Sequence, residues 1–192
     1  MSTEETLIAN VEAAFAAGED ARLQAQAIAD AMRTAFAEGW PETSEKMGSD
    51  NGTYLIHSND ELGHPNGGFR IYAYRQPPQP ESPQSPHDHG QCFVVYGVAR
   101  GGNVHTRWAW QYSDDTTQAP ELAPNQTVDQ GPGEAAYFLP GEIHSTQGSR
   151  TDETVFVRIT SQNLEEVWRH RYNPAQHTSR AFKASGSPTR TS

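Results

Sequence analysis

The sequence predicts a mainly β protein, an antiparallel sandwich or barrel with helices before it and one helix after it. Three observations predict this. Apolar residues recur at helical spacing over the first 40 residues. After residue 50, short strand-like runs are separated by Gly, Pro, Asn and Asp turn signals. There is no strand–helix–strand alternation and no Gly-rich phosphate loop, which removes the doubly wound nucleotide-binding folds.

Taken in order, Leu7, Ile8, Val11, Ala14 and Phe15 form one helical stripe. Leu23, Ala27, Ile28, Ala31, Met32, Ala35 and Phe36 form a second. Asp20 is a natural N-cap between them, and Gly39-Trp40-Pro41 stops the second helix. Alanine-rich stripes of this kind are packing surfaces, so they are assigned no chemistry. Asn51-Gly52 and Asn66-Gly67-Gly68 are turns. The strand-like runs are 53–57, 69–75, 92–99, 104–112, 135–139 and 155–160. Asn163, with Glu166 three residues on, predicts a capping box for a last helix carrying Leu164, Val167, Trp168 and Arg171 on one face and ending at Asn173-Pro174. The expected division is a helical segment at 1–48, a barrel with its C-terminal helix at 49–174, and a flexible Ser/Thr-rich tail at 175–192.

The chain has 192 residues, enough for one domain with a real core, and one cysteine, Cys92. Internal disulfides and Cys-rich zinc sites are therefore excluded. With 24 acidic against 14 basic residues the net charge is −10, which argues against nucleic acid or an anionic membrane as partner. No leader-like or membrane-spanning apolar run is visible, and a soluble cytoplasmic protein is expected. The charge is uneven. Residues 1–61 carry 12 acidic and 3 basic groups, whereas residues 162–192 carry 2 acidic and 5 basic groups. The expectation is an acidic solvated helical face and a basic tail.

Chemistry concentrates in the histidines. His87 and His89 sit in Pro86-His87-Asp88-His89-Gly90, just before an apolar run. In extended chain, residues i and i+2 point to one face, close enough for two imidazoles to share an ion. A second segment, Leu139-Pro140-Gly141-Glu142-Ile143-His144, uses a Pro-Gly turn to aim a third imidazole inward. The expected metal ligands are His87, His89 and His144. Three neutral ligands leave a divalent ion its full charge and open positions on one face. Fe2+ with O2 and a small substrate is the expected use, and Zn2+ or Mn2+ in lyase, isomerase or hydrolase chemistry is the alternative. A non-enzymatic small-molecule-binding protein is a third reading.

These two segments resemble the paired motifs of the cupin superfamily, a His-x-His element and a Pro-Gly turn leading to His. Pro86-His87-Asp88-His89-Gly90 is most similar to the cysteine dioxygenase (thiol dioxygenase) branch, over roughly residues 50–173. The resemblance implies a double-stranded β-helix, a jelly-roll barrel, with mononuclear iron, a dioxygenase activity and a homodimer. Most cupins place a Glu ligand four or five residues after the second His. Here Phe93 and Val94 stand there, as in thiol dioxygenases, which also lack it. The Ser-x-His-x-Tyr element of that branch falls on Phe156, Arg158 and Thr160, and no Arg occurs from Asn51 to Phe69. Cysteine itself is therefore not carried over as substrate.

Alternation in 69–75 separates Phe69, Ile71 and Ala73 from Arg70, Tyr72 and Tyr74. The first set is expected under the helices and the tyrosines in the cavity. Arg158 is the expected anion binder and, with Tyr74, the expected catalytic pair. Tyr72, Arg70 and His57 complete the candidate substrate-binding set. His105 reads as a core or surface strand residue, the alternative being a partner placed behind the metal ligands. His64, His170 and His177 read as loop, helix-surface and tail residues. Cys92 reads as a buried small side chain, and Asp88 as a loop-fixing group.

Overall fold

The computed structural model describes residues 1–62, 68–79, 83–112 and 120–183. Two helices come first, α1 (Thr3–Ala16) and α2 (Ala21–Ala37). Ser2 and Glu5 close a capping box on α1, and the Asp20 carboxylate accepts from the Arg22 and Leu23 amides at the start of α2, the predicted cap. Glu4 ties α1 to the segment after α2. It accepts from Lys46 (2.7 Å), Trp40 Nε1 (3.4 Å) and the Ser44 hydroxyl.

Ten strands follow among the described residues: β1 (Gly52–Asn59), β2 (Phe69–Gln76), β3 (Val94–Arg100), β4 (Asn103–Gln111), β5 (Glu121–Gln130), β6 (Ala135–Phe138), β7 (Ile143–Gly148), β8 (Thr154–Thr160), β9 (Arg169–Asn173) and β10 (Thr178–Phe182). They form an antiparallel sheet of order β1-β2-β8-β3-β6 and a second of order β5-β4-β7. Residues 86–88 prolong the second sheet. His87 exchanges both backbone bonds with His144 of β7 at 2.9 Å, and on its other side 86–88 pairs with β9, which pairs with β10. The two sheets make the expected jelly-roll barrel.

The five-stranded sheet sorts its side chains by alternation. Phe69, Ile71 and Ala73 of β2, Val95 of β3, and Val157 and Ile159 of β8 pack with Leu7, Val11, Ile28 and Met32 of the helices. Tyr74, Val94, Tyr96, Val98 and Phe156 point the other way, into the barrel, with Cys92 and Phe138. At Gly97 an added Cβ would lie 2.5 Å from Phe36 Cε2 and 2.7 Å from Met32 Cε, so α2 sits directly on β3. No helix among the described residues is long and apolar enough to cross a membrane.

Two expectations need correction. Residues 164–172 form no helix. Asn163 does begin a turn, accepting from the Glu165 amide through its side chain and the Glu166 amide through its carbonyl, and Leu164 and Val167 are buried together as their spacing predicts. The chain then extends into β9 because residues 86–88 offer it backbone partners. The flexible tail does not begin at 175. A 3-10 turn (Pro174–Gln176) leads into β10, and residues 184–192 lie outside the described residues. The Asn66-Gly67 turn and His64 also lie outside them.

Candidate metal centre

Backbone register brings the two histidine segments together. Because His87 and His144 are directly opposed across a bonded antiparallel pair, their side chains share a face, and His89 follows on that face at i+2. The Gly141 amide donates to the Gly90 carbonyl at 3.0 Å, joining the Pro-Gly turn to the end of the His-x-His segment. Gly90 has φ +59°, and a Cβ there would lie 2.2 Å from the Trp168 carbonyl oxygen. Only glycine serves at that position. Asp88 holds the loop from the other face, as expected. It accepts from the Gly90 and His170 amides (3.0 Å each) and from the Tyr172 hydroxyl (2.7 Å).

One nitrogen from each of His87, His89 and His144 lies within 4.8 Å of the other two. His89 and His144 are 2% and 0% exposed. Their Nε2 atoms are 3.0 Å apart. Two nitrogens about 2.1 Å from one ion and this far apart subtend about 90°, near an octahedral angle. The His87 Nδ1 lies 3.1 Å from the Ser85 carbonyl, which can only accept, so Nδ1 carries the proton and Nε2 keeps its lone pair. Burial pushes the His87 pKa down to about 4, and pushes His89 and His144 well below their ordinary value, so all three are neutral at pH 7. Their donor set, spacing and protonation fit a divalent metal ion.

A second layer fixes the centre. Phe138 packs on the His144 ring at 3.9 Å, and His105, fully buried, stacks behind it at 5.5 Å and 11°. His105 Nδ1 lies 3.2 Å from the Thr146 hydroxyl. Glu142 braces the Pro-Gly turn by accepting from the Leu139 amide (2.8 Å) and Arg107 (2.7 Å).

Beside the imidazoles lies a cavity of about 190 Å³. Tyr74, Tyr96, Phe156 and Arg158 line it from the five-stranded sheet. The Arg158 guanidinium lies over the rings of Tyr74 (5.2 Å) and Tyr72 (5.6 Å), beside Tyr96. Its Nε is buried with no hydrogen-bond partner. Glu153, the carboxylate nearest in sequence, instead pairs with Arg75 at 2.8 Å and with Arg100. The Tyr96 hydroxyl lies 3.5 Å from His89 Nε2. Burial raises the Tyr74 pKa to about 12 and also raises that of Tyr96, so both hydroxyls stay protonated.

Of the candidate substrate-binding residues, Tyr74 and Arg158 line the cavity and Tyr72 stands behind Arg158 without lining it. Arg70 and His57 do not belong there. Arg70 pairs with Asp60 at 2.5 Å, and His57 packs on Phe69 at 5.5 Å on the helix side, 3.9 Å from Glu12. A bulge between Leu55 and His57 shifts His57 out of simple alternation. Cys92 is buried, with Ser161 Oγ 3.3 Å from its sulfur, and burial raises its pKa. The sequence reading missed Tyr96 and Arg169. Tyr96 was legible as the polar member of the Val94, Tyr96, Val98 face. Arg169 was not, because the spacing over 164–171 is helical whereas Arg169 opens a strand.

No protein-family model matches the sequence, and no curated protein is detectably similar. The fold is similar to a double-stranded β-helix protein from Klebsiella pneumoniae (10% identity, TM-score 0.39, covering 74% of this chain and 93% of that one). It is also similar to a cupin superfamily protein from Desulfitobacterium hafniense (12%, 0.39, 62% and 84%). A third similar structure is a DMSP lyase from Ruegeria pomeroyi (13%, 0.42, 78% and 68%). Each likeness is weak and concerns the fold alone.

Proposed function

We propose that this protein is a metal-dependent oxidoreductase of the mononuclear iron dioxygenase type, acting on a small anionic substrate. One observation carries the reading: three neutral imidazoles, with no carboxylate among them, converge beside a buried guanidinium that has no ion-pair partner among the described residues and whose Nε makes no hydrogen bond. His87, His89 and His144 would hold Fe2+, which supplies Lewis acidity and redox chemistry with O2.

The remaining roles belong to the chain. Arg158 binds an acidic group of the substrate by charge-assisted hydrogen bonds, the tyrosine rings holding its plane. Tyr96, between Arg158 and His89, and Tyr74 present protonated hydroxyls that can donate to a developing oxygen anion. Phe138, Phe156 and Val98 keep bulk water from the centre. In the thiol dioxygenase pattern a His and a Tyr stand where this chain has Arg158 and Thr160. This supports a substrate other than cysteine.

The test is metal analysis of freshly purified protein, then O2 uptake with a panel of thiols and small carboxylates. Bound iron and stoichiometric O2 consumption are expected, both lost in His87→Ala. Turnover that persists without O2 and survives Zn2+ or Mn2+ replacement would establish the lyase, isomerase or hydrolase alternative instead.

A further inference from the structure

Arg158 shares the cavity with two more guanidinium groups. Arg169, the first residue of β9, enters from the second sheet, and Arg171 stands at i+2 on the same face. Arg169 is 8% exposed, and its Nε is buried without a hydrogen-bond partner. The ring of Phe182, from β10, packs against Arg169 at 4.7 Å and Arg171 at 5.2 Å. Among the described residues neither arginine forms an ion pair, and no Asp or Glu lines the cavity. This occurs in a chain whose net charge is −10. Like charges gathered in a partly desolvated space repel, and an anion brought in from outside would relieve them. Burial and the neighbouring Arg158 both pull the Arg169 pKa down, which reports the same strain.

We propose that the cavity takes a small dianion, a short-chain dicarboxylate, with one acidic group beside Arg158 and the three imidazoles and the other held by Arg169 and Arg171. The inference rests on the anion-binding role given to Arg158 above and adds the second charge. The volume of about 190 Å³ is smaller than the roughly 300–1,000 Å³ of drug-sized ligand sites, which restricts the chain between the acids to a few carbons.

Calorimetric titration of the Fe2+-loaded protein under nitrogen tests this. The probes are malonate, succinate and glutarate, against propionate, butyrate and valerate. The best diacid should bind at least about 10-fold more tightly than any monoacid, the worth of one charge-assisted hydrogen bond. Arg169→Gln should weaken diacid binding at least about 10-fold more than monoacid binding, and Arg169→Lys should restore much of the preference. Thermal melts of both variants confirm that they fold. Equal affinity for diacids and monoacids, no binding of either, or equal weakening of both in Arg169→Gln would overturn the proposal. Repeating the titration on metal-free protein separates the two readings. A diacid preference that persists there, beside absent O2 uptake in the loaded protein, keeps the dianion site and removes the oxidoreductase.

Discussion

The two faces of the five-stranded sheet are made by the same strands and do opposite work. The outer face, with Phe69, Ile71, Ala73, Val95, Val157 and Ile159, is apolar and covered by the two helices. The inner face, from the same β2, β3 and β8, carries Tyr74, Tyr96, Arg158 and Thr160. Several buried polar atoms inside the barrel have no partner: Nδ1 of His89 and His144, Nε of Arg158 and Arg169, and Oγ1 of Thr160. A buried polar group left unpaired costs about 1–3 kcal/mol. The barrel tolerates several because the outer face supplies the apolar burial. Stability and reactivity are thus separated by alternation, one residue apart along each strand.

Four measurements would test that contrast. The largest effect is expected at the centre. His144→Gln should lower metal affinity at least about 100-fold in a chelator competition, since even outer-shell changes at metal sites cost about 10–100-fold. Ile71→Val on the outer face should leave that affinity unchanged.

Acid comes next. In metal-free protein, burial holds the His87 and His105 pKa values near 4, against about 6.5 unfolded. Between those values the unfolded chain binds protons that the folded one refuses. Stability is therefore full above pH 6.5 and falls as pH drops toward 4, by about 1.4 kcal/mol per pH unit for each such imidazole. Tm measured against pH checks this, and His105→Gln should flatten the slope.

A smaller effect separates the faces directly. Ile71→Ala should cost about 2–5 kcal/mol and lower Tm by roughly 4–20 °C. Arg158→Met, which removes an unpaired charge, should leave Tm unchanged or raised while abolishing anion binding. Equal Tm losses in the two variants would break the contrast. The smallest effect is expected at Gly97→Ala, where the Phe36 and Met32 side chains of α2 must give way at about 1–3 kcal/mol with metal affinity kept.

Elements specified by local periodicity were legible in the sequence, and those specified by distant partners were not. The helices and the Asp20 cap follow from spacing alone, and the six strand-like runs coincide with strands to within a few residues. β5 escaped because it is an exposed, polar edge strand, with Pro124 placed where the pairing register slips. The segment after Asn163 misled because one turn buries residues 164 and 167 just as a helix would, and the extension beyond depends on partners about 80 residues earlier. The three imidazoles were legible because i, i+2 geometry and a Pro-Gly turn are local. The second half of the cationic wall was hidden with β9. The basic residues expected in a tail include Arg169 and Arg171, which line the cavity.

The clamp between Asp88 and β9 has a consequence in the order of synthesis. Every imidazole of the centre is made before the strand that walls it in, and 25 residues separate His144 from Arg169. At 5–20 residues per second that stretch takes about one to five seconds to translate. During that interval the His-x-His loop lacks the His170 amide and Tyr172 hydroxyl that hold Asp88, and the half of the cationic wall carried by Arg169 and Arg171 is missing. A nascent chain that already holds His87, His89 and His144 therefore still lacks two of the three guanidinium groups that line the cavity.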